Sequence, residues 1–462
     1  MKTAFAILSI AVSACQLTAT VHSLSSAAEL TQLIRDQLVK PGDELVWKDG
    51  VYADVKIDLT GINGKPNTLI VLRAETSGGV RFTGASQLWI GADYAEVSGF
   101  RFEAISSVAA PRKVISFRGG NDDPAYFSRL TDVSIIESEA GLPVLQDSKW
   151  VVIYGQHNRV DHCYFSGKRS HDNLMTVYLD ESKLPSWHQI DSNYFADRQD
   201  GTLAGGTTNG WEIIRIGDSK SSQQQALCRV ERNYFEQCNG EIEIISNKSG
   251  NNIYSGNVFR ECSGQLTLRH GFGCLVIDNL FIGSHETKYE ESGVRVIGPD
   301  HSVIGNTFVQ LDGEGSRGAL VLCEGVKDGR INEYYPVTNA LVRANQYIDC
   351  KTPIVVGAMH GRKAKDSKLV DVPPTGVVID QNVVIGSSPV FQLLSEEKPG
   401  ITLRDNLAYT NRANIVIPWE ADDVVNSAAF TVVPLITNDL SIEKWHARAD
   451  QIRDSSGPSW RK

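Results

Sequence analysis

The chain has 462 residues, 22% of them charged and 41% apolar, a composition that builds a large core and excludes a disordered protein. Its 55 acids outnumber 45 Lys and Arg, a formal net charge of −10, which argues against a nucleic-acid partner. An anionic substrate stays open, because the local field matters more than the total charge.

The first 23 residues, MKTAFAILSIAVSACQLTATVHS, read as a signal peptide. Lys2 precedes an apolar run from Ala4 to Val12, and small residues follow, a stretch too short to span a membrane. Cleavage is expected near Ser23, leaving 24–462 as one domain, since no Pro- or Ser-rich linker divides the rest. The segment VSAC ending at Cys15 resembles a bacterial lipobox, which would instead leave Cys15 lipidated at the outer membrane. Either route places the protein outside the cytoplasm, secreted or periplasmic. No later segment is long and apolar enough to cross a bilayer. Residues 26–38, SAAELTQLIRDQL, then predict a helix. Ser25 or Ser26 can cap it, Glu29 lies in its first turn, and Leu30, Ile34 and Leu38 share a face.

Beyond the helix a repeat runs down the chain. Asn, any residue, then an aromatic or aliphatic recurs at 193–195, 233–235, 257–259, 279–281, 306–308, 345–347 and 382–384, with looser copies at 100–102, 163–165 and 406–408. The shorter spacings are 22, 24, 27 and 30 residues, and each motif is flanked by short Val- and Ile-rich alternating strands. Periods of this size mean stacked units. The expected fold is all-β: a single-stranded right-handed parallel β-helix, with two or three strands per coil and coils about 4.8 Å apart. The Asn would form a ladder of amides from coil to coil, and the helix at 26–38 would plug the open N-terminal end. A β-propeller is the competing architecture, but it needs longer four-stranded repeats with hairpins. Cys238, Cys262 and Cys350 each follow an aromatic by three residues, which predicts stacked, buried thiols. Seven cysteines besides Cys15 make a complete disulfide set impossible, and no CxxC pair marks a metal site. The charged tail from Ser441 predicts a short C-terminal helix.

Residues 239–248 read NGEIEIISNK. On a strand, i and i+2 point the same way, so Glu241 and Glu243 share the outer face while Ile242 and Ile244 face the core. Asn209 precedes Glu241 by 32 residues and Arg269 follows Glu243 by 26, each roughly one coil. Stacking therefore gathers Asn209, Glu241, Glu243, Lys248 and Arg269 on one wall. Two carboxylates and an amide carbonyl are hard ligands that suit Ca²⁺; a solvated glutamate pair bonded to nearby Lys or Arg is the plain alternative.

The segments NGWEIIRIG (209–217), NGEIEIISNKSGNN (239–252), LTLRHG (266–271) and SGVRVIG (292–298) resemble the signature segments of polysaccharide lyase family 6, which holds alginate lyases and the chondroitinase B type of dermatan sulfate lyase. PGDELVWKDGVYADVKIDLTG (41–61) looks like that family's first coils, and the likeness covers most of 25–410. It implies a parallel β-helix fold. It further implies Lys248 as Brønsted base, Arg269 as its catalytic partner, and Asn209, Glu241 and Glu243 as Ca²⁺ ligands. His270, Arg295 and Arg215 would line the groove and contact sugar; otherwise His270 satisfies a turn and Arg295 pairs with an acid such as Glu291.

Such a lyase removes the C5 proton of a uronate and expels the 4-linked sugar. Ca²⁺ on the carboxylate would make C5–H more acidic. A lysine base must be neutral, so it belongs beside cations and not in an ion pair. Arginine gives up a proton poorly, so Arg269 stabilises charge more readily than it acts as an acid. Asp122-Asp123 and Asp422-Asp423 are paired acids of the kind a hydrolase needs, but they lie in apparent loops far from this cluster. A non-catalytic carbohydrate-binding β-helix is the remaining rival. The expected substrate is alginate, since no basic cluster near 209–300 would serve the sulfates of dermatan sulfate. Oligomeric state is not legible.

Overall fold

A computed structural model describes residues 19–103, 112–120, 122–137, 147–204, 209–285, 289–364, 366, 368–387, 389–411, 415–416, 430–435 and 442–461. The chain winds through three long sheets of 14, 13 and 14 strands, visiting them in turn, so that each strand pairs with the strand one coil away. All pairing within these sheets is parallel; among the described strands only Gly325–Val326 and Val370–Val372 pair antiparallel. This is the right-handed parallel β-helix, with three strands per coil, and it leaves no place for propeller blades.

Stacking is in register, and it repeats side chains as well as backbone. In the 13-stranded sheet Val151, Met175, Ile214, Ile245, Leu266, Val294, Leu320 and Ile354 lie one above another, all buried. In the third sheet the rings of Phe165, Phe195, Phe235, Phe259, Phe281, Phe308 and Tyr347 stack with centroids 4.6–5.3 Å apart. Cys238 and Cys262 stack too, the Cys238 N–H meeting the Cys262 sulfur at 3.4 Å, and all seven described cysteines are free and buried.

The Asn ladder forms as expected. Asn193, Asn233, Asn257, Asn279, Asn306, Asn345, Asn382 and Asn406 are buried, and each Nδ2 donates to the next Oδ1 at 2.9–3.0 Å. That same Oδ1 also accepts the backbone N–H of the preceding ladder residue. The residue before every ladder Asn is left-handed, as at Arg232 (φ 52°) and Gly256 (φ 62°), which turns the chain sharply from the first sheet into the third.

Helix α1 covers Ala27–Arg35, with the Ser26 side chain accepting from the Glu29 N–H, and Leu30 is buried in the core. It packs on strands Val21–Leu24 and Lys56–Asp58, at one end of the stack. Leu38 does not join its apolar face: Gln37 turns left-handed just past the helix, and Leu38 is 52% exposed. Helix α2, Ile442–Ser455, lies along the side of the third sheet, where Trp445 and Ala449 pack with Tyr234, Val258 and Leu280. Strand Val21–Leu24 pairs with Glu44–Trp47, so described structure begins ahead of the boundary expected at Ser23; residues 1–18, Cys15 among them, and Asp422-Asp423 lie outside the described residues. Among the described residues no helix is long and apolar enough to cross a membrane.

Asn279→Ala would leave the Asn257 N–H and Nδ2 without their acceptor inside the ladder. Each orphaned buried group costs about 1–3 kcal/mol, so we expect a loss on the order of 3 kcal/mol in denaturant unfolding, whereas an alanine at exposed Leu38 should change stability by less than about 0.5 kcal/mol.

Candidate active site

The outer row of the 13-stranded sheet carries Thr176, Arg215, Ser246, Thr267 and Arg295 in register on successive coils. Two register shifts in the pairing of strand Glu243–Lys248 with strand Gln265–His270 reshape this row. The first lies between Glu243 and Ile245, and it corrects the simple alternation expected from the sequence. Ile244 and Ile245 both enter the core, Ile242 lines the outer groove, and Glu241 precedes the strand. Glu243 and Ser246, three apart, consequently face outward together and share a hydrogen bond. The second shift pairs Lys248 with His270, leaving Arg269 as the extra, outward residue. Asn247, next to Lys248, points inward and accepts from the Tyr254 hydroxyl and the Asn252 amide, both at 2.7 Å. That buried network fixes where the strand ends and Lys248 begins.

A groove of about 700 Å³ crosses this face. It is lined by Asn209, Glu241, Glu243, Arg269 and Arg295, five of the eight expected site residues, together with Arg317, Tyr334 and Arg362. Arg295, with its side chain 3% exposed, donates to Glu243 at 2.7 Å, and Arg269 Nε lies 3.9 Å from the same oxygen. The alternative partner Glu291 is instead tied to the Ser284 N–H at 2.8 Å, and burial pushes its carboxyl up to about 7. The Arg269 guanidinium is held from the far side of the groove. It donates to the carbonyls of Asn332 and Glu333 at 3.3 Å and lies 4.3 Å over the Tyr334 ring.

Lys248, His270 and Arg215 sit beside this groove and not on its lining. His270 is 2% exposed; burial first, then the Arg269 and Lys248 charges, push it down to about 2, so it stays neutral, with Nδ1 3.4 Å from Arg269. The half-buried Lys248 amine makes no hydrogen bond or ion pair with a described residue. It is close enough for its charge to act on both His270 and Glu212. Arg215 leans toward Tyr178, 5.6 Å over its ring.

Glu212 is the site residue that sequence reasoning missed. It is 3% exposed, receives a hydrogen bond from Asn173, and lies against Glu241. Its 29-residue offset from Glu241 is one coil, but flanking Trp211 and Ile213 read as ordinary strand. Burial, followed by Glu212 and Glu243, pushes Glu241 up to about 10, and its Oε1 is buried without a hydrogen-bond partner. Beneath them the buried Arg198 donates to the carbonyls of Lys168, Ser170 and Asp172 and stacks 4.4 Å from Trp211, which fixes the loop ahead of Asn173. Tyr334 carried no sequence signal at all, being delivered by the antiparallel excursion after Val326.

Crowded carboxylates with an orphaned oxygen lack positive charge. Hard oxygens from Glu241, Glu243 and the Asn209 amide, all facing one groove, match the chemistry of a Ca²⁺ donor set. Among the described residues no three His, Cys, Asp or Glu side chains form a metal-holding group.

The family model for chondroitinase B matches residues 24–454. The chain belongs to that family, polysaccharide lyase family 6. Among solved structures, the family 6 alginate lyase AlyGC is 32% identical with a TM-score of 0.78; the match covers 90% of this chain and 54% of that one. This chain therefore spans little more than half the length of AlyGC. A mannuronic acid specific family 6 lyase from human gut microbiota is 28% identical with a TM-score of 0.77, covering 96% of both chains. Comparison with curated proteins finds no match.

Within this family 6 site, Arg295→Ala would leave Glu243, half-buried next to two other carboxylates, with only the Ser246 hydroxyl and the more distant Arg269. Removing one partner of such a pair should cost about 3 kcal/mol, read as a lowered midpoint in urea, and adding glutamine at 295 should not restore it.

Proposed function

We propose that this family 6 chain is a polysaccharide lyase that cleaves a uronate polymer, alginate, by β-elimination. One observation carries the reading: the Lys248 amine makes no ion pair or hydrogen bond with a described residue, one coil from Arg269, beside a groove whose floor is carboxylate and whose wall is arginine. A surface lysine in an ion pair could not shed its proton to become a base.

In the reaction Lys248 Nζ takes the C5 proton of the bound uronate. The electron pair forms the C4–C5 double bond, and the bond from C4 to the linking oxygen breaks. That oxygen takes a proton from water in the open groove. Arg269 faces the growing charge, aimed by the Asn332 and Glu333 carbonyls and the Tyr334 ring, and does so as a fixed cation. Neutral His270 adds no charge against Lys248 while it packs under Arg269. Asn209, Glu241 and Glu243 would hold Ca²⁺, which when bound would neutralise the substrate carboxylate and acidify C5–H.

Alginate is favoured over dermatan sulfate by the charge count in the groove. Arg295 pairs with Glu243 and Arg317 with Glu290, leaving few cations for sulfate groups. The relatives AlyGC and the gut lyase, described as an alginate lyase and a mannuronic acid specific lyase, support the same choice. The leader-like N-terminus fits action on an extracellular polymer.

Lys248→Ala should lower the appearance of unsaturated uronate, followed by ultraviolet absorbance, by about 10²–10⁴-fold while leaving the fold intact. Ca²⁺ should raise the melting temperature of chelator-treated wild type and of Lys248→Ala alike, but not of Glu241→Gln; equal shifts in all three would remove Glu241 from the ion.

A further inference from the structure

We propose that a second pocket on the same sheet face, walled by Arg118, Tyr154, Tyr178 and Lys183, binds the uncleaved length of the uronate chain whose reacting sugar lies at Lys248. The inference rests on the lyase reading and extends the substrate path toward the first coils of the helix.

The pocket has a volume of about 430 Å³ and adds Pro124, Tyr126 and Leu179 to those walls. It is built on the coils that lead up to the reaction site. Strands Lys113–Ser116, Lys149–Ile153, Met175–Val177, Ile214–Ile216 and Glu243–Lys248 are consecutive neighbours in the 13-stranded sheet. Tyr178 is thus two coils from Lys248 and Arg118 four, about 10 and 20 Å at ~4.8 Å per coil. Gly217 lies between. A Cβ there would meet Ser221 Oγ at 2.6 Å and Leu179 Cδ1 and the Lys248 backbone carbonyl at 3.0 Å, so the pocket wall and the strand end that carries Lys248 both come close to this glycine.

The chemistry of the pocket suits a carboxylated sugar chain. Arg118 lies 3.8 Å over the Tyr154 ring, Tyr154 stacks on Tyr178 at 5.2 Å and 11°, and Arg215 covers Tyr178 at 5.6 Å. Two guanidinium planes therefore bracket two stacked rings across four coils. The Nε atoms of Arg118 and Arg215 are buried without a hydrogen-bond partner in the protein. Lys113 and Lys183 donate to the hydroxyls of Tyr154 and Tyr126, both at 2.9 Å, and Lys183 adds a second lining cation. Of the acids nearby, Asp180 also lines the pocket and offsets part of this charge while it accepts from the Ser182 N–H and hydroxyl at 3.0 and 2.6 Å; Asp122, 89% exposed, lies 3.5 Å from Arg118. Pyranose faces gain from the aromatic edges and apolar walls, and ring carboxylates from the bracketing cations. A neutral glycan would have no use for the two cations, Arg118 and Lys183, that line it. This also gives Arg215 a place: it bridges the second pocket and the rung of Ser246.

The test uses the full chain and two variants, Arg118→Gln and the exposed-rim Lys183→Gln, the latter safe from misfolding. Steady-state cleavage is measured on alginate and on a short oligouronate unable to span 20 Å, roughly four coils. Calorimetry measures binding of the same polymer to Lys248→Ala with and without Arg118→Gln. We expect KM on the polymer to rise about tenfold with kcat unchanged, no change on the short substrate, and about tenfold weaker polymer binding in the Lys248→Ala background. Unchanged polymer KM in both variants, or equal losses on long and short substrates, would overturn the pocket assignment. If wild type yields no unsaturated product from any uronate polymer, the lyase reading fails instead, and the calorimetric comparison still decides whether the pocket takes the polymer.

Discussion

Everything in this molecule depends on parallel strands stacking in register, coil upon coil. Because a parallel ladder repeats side chains at fixed spacing, any residue that recurs once per coil becomes a column. The Asn ladder is the buried polar version of this rule and the Phe stack its apolar version. Neither is stable as a single copy: one asparagine inside the core would be an unsatisfied amide, and only its neighbours above and below complete it. The coil is therefore the smallest cooperative unit, and the candidate site inherits its rigidity from the stack of them.

The site appears where that regularity is broken. Two shifts in one strand pair turn Glu243 outward together with Ser246, and set Arg269 out of line opposite Lys248 and His270. A perfect ladder would have sent alternate residues into the core and spread the charges evenly. The shifts set Glu243 and Arg269 outward, in a cluster of three carboxylates, two arginines and the Lys248 amine, which pairs with no described residue, spread over four coils. The buried Asn247, Tyr254 and Asn252 network and the Arg198 support beneath Trp211 hold this arrangement against its own repulsion. Electrostatics of this kind needs rigid walls, since crowded like charges relax apart wherever the backbone lets them.

Much of this was legible in the amino-acid sequence because a solenoid writes its contacts into its period. The ladder from Asn193 to Asn406, the buried thiols and the placement of Asn209, Glu241, Glu243 and Arg269 on one wall all follow from spacing. What was not legible has a physical reason in each case. Ile244 and Ile245 both enter the core because a bulge leaves no mark in a hydrophobic pattern of two adjacent isoleucines. Glu212 hides among apolar neighbours. Tyr334 and Arg362 reach the groove on excursions between coils, whose paths no period constrains. Leu38 fell outside its helix because a left-handed Gln37 ended the helix one turn early, and nothing in its composition forbade a longer one.

The most direct test of the central claim is a nuclear magnetic resonance spectrum of the product formed from alginate. Proton abstraction by Lys248 followed by elimination predicts an olefinic proton on a C4–C5 double bond at each new non-reducing end, and none from the Lys248→Ala protein. Saturated ends on both sides of the cleaved bond, or an unchanged polymer, would contradict it.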